Sequence, residues 1–197
     1  MVGYYRSVAT ASRQEVLCVD IVMVIAQKVF RDEEYAHPKK VLESRGANIV
    51  TASVEAGECV GKLGMKVYAQ LSIADAAAAR WDCVLFVGGA GAAVFFDDAH
   101  AHALASRAHE RGAVVSALCV APSTLARAGL LQGVRATAFP SQEADLKAHG
   151  ALWTGEPVTV DGRIVTGNGP EAATAFGVAV ADLLGLPAVS RDPSHDS

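Results

Sequence analysis

The chain has 197 residues, of which 51% are hydrophobic and 19% are charged, and its formal net charge is −4. This balance predicts one globular domain with a substantial core. It excludes intrinsic disorder, which requires low hydrophobicity and high net charge. Lysine and arginine are scattered rather than clustered, so we expect neither nucleic acid nor a membrane surface as a partner.

Four cysteines are spread along the chain without a Cys-x-x-Cys pair. This spacing fits neither a disulfide-stapled secreted domain nor a zinc knuckle, so we expect reduced thiols in a cytoplasmic protein. Residues 16–26 imitate the apolar region of a signal peptide, but Asp20 interrupts them and no clear small-x-small cleavage site follows. We therefore interpret residues 16–26 as a buried strand.

After a polar start, the chain repeats one unit, which consists of an apolar run, a helix-prone polar segment and a glycine. Buried strands are predicted at residues 19–26, 47–53, 83–87 and 113–118. Helices are predicted at residues 34–45, 97–111 and 170–184. The first two helices end at Arg45-Gly46 and Arg111-Gly112, where the cation suits the negative helix end and glycine suits the cap.

Two hairpins are predicted, at residues 58–68 and at residues 158–165, the second of them around Asp161-Gly162. The other strands are continuously apolar rather than alternating, which indicates burial on both faces. We therefore predict an α/β fold, a doubly wound parallel sheet sandwiched by helices. The domain is expected to cover residues 16–186, with a flexible N-terminal extension at 1–15 and a flexible C-terminal tail at 187–197.

Sites in open parallel sheets lie beyond the carboxyl ends of strands, which selects the loops after Ala26, Val87 and Leu118. The third loop gives the strongest indication of a site, because a buried strand ends at Cys119 and a helix begins immediately after it. Small residues two positions to either side of Cys119 give the pattern of a nucleophile elbow. The positive end of the following helix would favour the thiolate and lower the thiol pKa. The competing interpretation is a small, buried, unreactive cysteine.

The loop after Val87 contains Gly88, Gly89 and Gly91. It is a partial GxGxxG pattern that lacks the following acidic residue of a dinucleotide site, so we expect no cofactor. The backbone N–H of Gly89 could instead donate to an oxyanion that forms beside Cys119. An ordinary strand-to-helix turn is the alternative.

The loop after Ala26 leads to Asp32, Glu33 and Glu34, which at a helix start normally complement the helix dipole. Any one of them could turn inward, and periodicity does not choose among them. His37 lies three residues after Glu34 and could share its face. The histidines do not combine into a set with ligand spacing, so no metal site is expected.

Five segments, taken in this order and spacing, resemble the ThiJ/PfpI superfamily over roughly residues 16–185. They are Phe30-Arg31-Asp32-Glu33-Glu34-Tyr35 with Pro38, Gly88-Gly89-Ala90-Gly91, Ser116-Ala117-Leu118-Cys119-Val120-Ala121-Pro122, Arg135-Ala136-Thr137-Ala138-Phe139-Pro140 and Thr166-Gly167-Asn168-Gly169-Pro170. The resemblance implies a flavodoxin-like sandwich of the class I glutamine amidotransferase type, usually a homodimer or higher homo-oligomer.

The resemblance also implies a site. Cys119 falls on the family's nucleophile, and Glu34 falls on the glutamate whose carboxyl group hydrogen-bonds the thiolate. Gly89 and Val120 fall on the backbone donors beside the cysteine, and Gly88 belongs to the same oxyanion group. A glutamate that is held protonated would donate to the sulfur rather than repel it.

The sequence departs from the family at both histidine positions. Val120 stands where the PfpI-type proteases carry a histidine, and Phe139 stands before Pro140 where the deglycase branch carries one. A proton shuttle contributes typically ~10²–10⁴-fold in rate, and only Glu34, or a histidine such as His37, remains to supply it. We take Phe139, Pro140 and His37 as candidates for the substrate pocket.

We therefore expect a cysteine-dependent enzyme that acts on a small electrophilic carbonyl substrate. Glyoxalase-like or deglycase-like chemistry is the leading form, amidase or hydratase chemistry is a related option, and proteolysis is disfavoured. Cys119 would be the nucleophile and Glu34 its proton partner. The alternative is a redox-sensing or stress-protective, chaperone-like protein in which Cys119 is oxidised to the sulfinate without turnover.

Overall fold

The computed structural model describes residues 19–188 of the chain. The strands within this range are β1 (Asp20–Val24), β2 (Lys28–Phe30), β3 (Asn48–Ser53), β4 (Gly57–Gly61), β5 (Lys66–Ala69), β6 (Leu71–Ser72), β7 (Cys83–Phe86), β8 (Val114–Leu118), β9 (Arg135–Ala136), β10 (Leu152–Trp153), β11 (Val158–Asp161) and β12 (Ile164–Gly167). The helices are α1 (Asp32–Ser44), α2 (Ile73–Ala78), α3 (Ala99–Glu110), α4 (Pro122–Arg127), α5 (Glu143–Ala148) and α6 (Ala173–Leu183).

The central sheet has seven strands in the order β11-β12-β8-β7-β1-β3-β6. Neighbouring strands are parallel, except that β11 and β12 form an antiparallel hairpin. All the side chains of β7 and β8 are buried, which requires cover on both faces. Helix α1 packs with α6, whereas α2 and α4 pack with α3. The predicted doubly wound parallel sheet is confirmed.

Both predicted hairpins are present. Residues 158–165 belong to β11 and β12, and Gly162 in their turn has a φ of +56°. Residues 58–68 belong to β4 and β5, which are antiparallel. The short strand β2 pairs in parallel with β4 and completes a separate three-stranded sheet. Because β2 comes just before α1, this small sheet positions the start of that helix.

The three acidic residues at the start of α1 have different surroundings. Asp32 is buried, and its carboxylate oxygens accept the N–H groups of Leu63 and Met65 at 2.8 Å each. Glu33 is partly exposed and forms an ion pair with the arginine two positions before it. Glu34 is fully buried and reaches the loop that follows β7. Asp32 thus ties α1 to the β4–β5 hairpin, while Glu34 turns toward the central sheet.

Asp32→Ala is expected to lower the free energy of unfolding by about 1–3 kcal/mol, because it leaves two N–H groups without their acceptor. Chemical denaturation would measure the loss. Glu33→Ala is the matched control, since its partly exposed ion pair is worth only ~0–1 kcal/mol. A loss no larger for Asp32→Ala than for Glu33→Ala would contradict the anchoring role.

The starts of all three predicted helices differ from the sequence-based expectation, and α1 begins at Asp32 rather than at residue 34. The last helix begins at Ala173 rather than at Pro170, because Pro170–Ala172 form a 3-10 turn. Helix α3 begins at Ala99 rather than at residue 97, because the Asp98 side chain caps it by accepting the N–H of Ala101 at 2.7 Å.

The predicted extension at residues 1–15 lies outside the described residues, as does the predicted tail from residue 189 onward. Within residues 19–188, no helix has the length and apolar character needed to cross a bilayer.

Candidate active site

The loops that follow β1, β7 and β8 meet at one edge of the central sheet, because these strands are parallel neighbours. They bring the side chains of Cys119 and Glu34 together beside Gly88. A Cβ built on Gly88 would lie 2.6 Å from Cys119 Cβ and 2.5 Å from Glu34 Oε2. The two predicted residues, which are far apart in the chain, therefore border the same point.

Cys119 occupies a sharp turn between β8 and α4. Its φ of +62° lies in the left-handed region, which residues with a Cβ rarely adopt. Its N–H donates to Gly167 O at 2.9 Å, and its carbonyl oxygen accepts the N–H of Phe139 at 2.7 Å. Ala117 and Ala121 are buried beside it, and their small side chains leave room for the turn. The backbone geometry is that of the predicted elbow.

In the part of the chain that the structure describes, the buried carboxyl group of Glu34 is bound by the uncharged backbone N–H of Gly88 and not by a cation. Its side chain is 0% exposed, and Oε2 accepts the N–H of Gly88 at 3.1 Å. The other oxygen, Oε1, is buried without an N–H or O–H partner among the described residues. Burial raises the pKa of Glu34 to about 7, against the opposing effect of hydrogen bonds with Cys119 and with the Gly88 N–H. Near neutral pH this carboxyl group can therefore both take up and release a proton.

The thiol of Cys119 does not have the lowered pKa that the sequence predicted. Burial and the negative charge of Glu34 raise the pKa of Cys119 to about 12, although the N–H groups of Gly89 and Val120 act in the opposite direction. Helix α4, which was expected to favour the thiolate, has only six residues, so its dipole is small. The prediction was wrong because desolvation outweighs the helix end. The sulfur can carry a charge here most readily when Glu34 holds the proton.

The N–H groups of Gly89 and Val120 act on the Cys119 sulfur in the direction that lowers its pKa, which places them beside it; their role as oxyanion donors stays a prediction. Gly88 was predicted in the same group, but its N–H is already donated to Glu34 Oε2. That assignment is corrected: Gly88 orients the carboxyl group and is not a free oxyanion donor. At Gly89, which has a φ of +97°, a Cβ would lie 2.6 Å from Val29 O, so this position requires glycine.

A small cavity of about 230 Å³ lies beside the elbow. Its lining residues are Phe139, Pro140, Asn168, Gly169, Pro170 and Glu171. Phe139 and Pro140 were predicted pocket residues, whereas Asn168 and Pro170 were missed as lining residues. The sequence pattern could have identified them. Residues 168–170 follow β12, which is the parallel neighbour of β8, and therefore lie at the same edge of the sheet as Cys119. Cys119 is not among the lining residues; the link between the cavity and the elbow is Phe139, whose N–H donates to the carbonyl oxygen of Cys119.

His37, the third predicted pocket residue, has different surroundings from the pair. It is exposed on α1, whereas Glu34 on the same helix is fully buried. Within residues 19–188, no group of three or more His, Cys, Asp or Glu side chains could hold a metal ion. The described cysteines, Cys59, Cys83 and Cys119, are free thiols.

Gly88→Ala is expected to abolish any activity that depends on the pair and to lower the free energy of unfolding by about 1–3 kcal/mol. The added Cβ would lie 2.5 Å from Glu34 Oε2 and 2.7 Å from the backbone oxygen of Leu118, so the structure must shift at the site. Denaturation and an activity assay would measure both effects. Gly129→Ala is the control for activity alone: its Cβ would meet open space, but its φ of +79° makes alanine strained there, so this variant is expected to lose stability and to keep its activity. An active Gly88→Ala protein would contradict the geometry.

Comparison with known proteins gives consistent results. The model of the DJ-1/PfpI family matches residues 20–183. An uncharacterized protein of Methanocaldococcus jannaschii is 37% identical over 171 residues, covering 85% of this chain and 83% of its own. A deglycase of Thermococcus kodakarensis is 28% identical over 149 residues, covering 76% of this chain and 90% of its own. The crystal structure of a ThiJ/PfpI domain protein from Brachyspira murdochii superposes with a TM-score of 0.81 at 31% identity, covering 86% of this chain and 98% of the other.

Proposed function

The chain belongs to the DJ-1/PfpI family, and from this membership we propose that it is a cysteine-dependent enzyme acting on a small electrophilic carbonyl compound. The observation that carries the proposal is the buried carboxyl group of Glu34, which lies against the Cys119 side chain beside Gly88 and hydrogen-bonds with it. A 2-oxoaldehyde such as methylglyoxal is the proposed substrate class. The relative from Thermococcus kodakarensis named as a deglycase supports carbonyl chemistry in the family.

In the first step, Glu34 accepts the proton of the Cys119 thiol as the sulfur adds to the aldehyde carbon. The carbonyl oxygen becomes an oxyanion, which the N–H groups of Gly89 and Val120 stabilise. Glu34 then returns the proton to that oxygen and gives a neutral hemithioacetal. No amine has to be expelled, so one carboxyl group is sufficient for this step.

In the second step, Glu34 removes the hydrogen of the former aldehyde carbon as a proton, which gives an enediol. The proton is then added to the neighbouring carbon, C2, which was the ketone carbon of the substrate. The product is the thioester of a 2-hydroxy acid on Cys119. Water hydrolyses this thioester, which releases lactate when the substrate is methylglyoxal and restores the thiol. Amidase or hydratase chemistry would share the first addition.

The absence of histidine at the two family positions argues for this chemistry over proteolysis. Val120 and Phe139 carry no titratable group, so a peptide's amine leaving group would lack a dedicated acid there. Glu34, with a pKa of about 7, is suited to move one proton back and forth near neutral pH.

The value of kcat/KM for methylglyoxal is expected to rise with pH through a midpoint near 7. Below that pH Glu34 is protonated and cannot accept the thiol proton, and above it the carboxylate is available. Loss of the 2-oxoaldehyde and formation of lactate, followed across the neutral range, would measure the profile. Absence of turnover at every pH would overturn the proposed function.

A parallel experiment on the same protein tests the redox alternative. Peroxide is added to the protein in place of the aldehyde, and mass spectrometry reports oxygen atoms added to Cys119. Selective oxidation to the sulfinate without aldehyde turnover would favour a sensor or stress-protective protein. We also propose a cytoplasmic homodimer or higher homo-oligomer, which sedimentation would test.

A further inference from the structure

Four arginines line a second cavity, of about 950 Å³, at the opposite edge of the central sheet. They are Arg45, Arg80, Arg111 and Arg163. The cavity is also lined by residues at or beside the starts of β1, β7 and β8, so it lies at the far end of these strands from Cys119. The half-buried ring of Trp81 forms part of its wall. None of the chemistry proposed above uses this cavity.

Two of the arginines are fixed by the protein. Arg163 donates from Nε to Gly112 O and from Nη1 to Leu183 O, both at 3.0 Å. Arg45 forms an ion pair with Asp182, and its side chain is only 11% exposed. These contacts hold two guanidinium groups in place at the wall, which reduces the entropy lost when a ligand binds.

Arg80 and Arg111 are exposed, and their side chains make no hydrogen bond or ion pair with another described residue. Arg111 follows α3, and its charge is suited to the negative end of that helix. The position of Arg80 is not accounted for in this way, because the preceding helix, α2, has only six residues. Two carboxylates, Asp20 and Asp82, also line the cavity. Asp182 already neutralises Arg45, so the other three guanidinium groups face the two carboxylates and leave the lining with a net charge of about +1.

We propose that this cavity binds an anion with two or more phosphate groups. Planar guanidinium groups bind phosphate oxygens in a bidentate manner, and Arg80 and Arg111 have donors available for this. The volume lies within the ~300–1,000 Å³ range of small-molecule sites and exceeds what pyrophosphate needs. A nucleoside diphosphate would place its base within reach of Trp81. The site is separate from Cys119, so its test does not depend on the proposed function.

The test uses Trp81 as the reporter. The chain has two tryptophans, so Trp153→Phe leaves Trp81 alone. This protein is titrated with pyrophosphate, with adenosine diphosphate and with adenosine, and calorimetry on the unaltered chain repeats each titration. Saturable binding of both phosphate compounds, but not of adenosine, is expected. Tighter binding of the nucleotide would identify a nucleotide site, and equal binding would identify a site for the phosphates alone.

Arg80→Gln and Arg111→Gln are each expected to weaken binding by about 10-fold or more, since each removes a charge-assisted hydrogen bond. Arg135→Gln is the matched control, because Arg135 is exposed and lies outside the cavity. Cys119→Ala should bind as the unaltered chain does. The proposal is overturned if neither phosphate compound binds saturably, if adenosine binds as well as the nucleotide, or if the two cavity variants bind as tightly as Arg135→Gln.

Discussion

Cys119→Ser is expected to lower methylglyoxal turnover by at least about 10³-fold, because the reaction then lacks its nucleophile. A serine hydroxyl is a much weaker acid than a thiol, and Glu34, with a pKa of about 7, cannot withdraw its proton effectively. The substitution nearly preserves the volume at a position that is 8% exposed, so the fold should persist. Turnover and circular dichroism, measured on the same preparation, separate these effects.

Cys59→Ala provides the control for this prediction. Cys59 is also a buried free thiol, but it lies on β4, outside the proposed site. It is expected to retain turnover at a small cost in stability. Equal loss of activity in both variants would show that the assay reports folding rather than chemistry. Full activity of Cys119→Ser would exclude Cys119 as the nucleophile.

Glu34→Gln is expected to lower turnover by about 10²–10⁴-fold, because the amide cannot accept the thiol proton. The substitution keeps the shape of the side chain and an oxygen that can accept the Gly88 N–H. The midpoint near pH 7 in the rate profile should disappear with the carboxyl group. Retention of both the rate and the midpoint would show that the proton goes elsewhere.

The same substitution is expected to stabilise the protein in mildly alkaline solution. The folded-state pKa of Glu34 is raised to about 7 from 4.5, so the folded protein binds the proton more tightly than the unfolded chain does. The unaltered protein therefore loses stability as the pH rises from about 4.5 through 7, by roughly 3–4 kcal/mol in all. The amide of the Glu34→Gln side chain does not titrate in this range. Urea unfolding should show Glu34→Gln to be more stable than the unaltered protein at about pH 8, with the difference vanishing at about pH 4.

The central sheet could be predicted from the sequence because its strands are short, continuously apolar runs. A run such as Val114–Leu118, buried at every position, indicates a parallel sheet covered on both faces. The elbow at Cys119 could be predicted as well, because it depends on neighbours within two residues. Features that depend on neighbouring residues in the chain could therefore be predicted from the sequence.

The inward-facing acid could not be chosen from periodicity. Asp32, Glu33 and Glu34 are consecutive at a helix start, and their directions depend on distant contacts: the β4–β5 hairpin for Asp32 and Gly88 for Glu34. Only the family resemblance selected Glu34. The thiol pKa was mispredicted for the same reason, since the depth of burial around Cys119 is a property of the assembled layers.

Two backbone hydrogen bonds of Cys119 limit how its sulfur can react. Cys119 donates its N–H to one segment and offers its carbonyl oxygen to another, which fixes its main chain from two directions. Any adduct on the sulfur must therefore be accommodated by rotation of the side chain or by displacement of the glycine loop opposite. Bulky reagents should in consequence react slowly for steric reasons, whereas compact, flat molecules should gain access without remodelling the backbone.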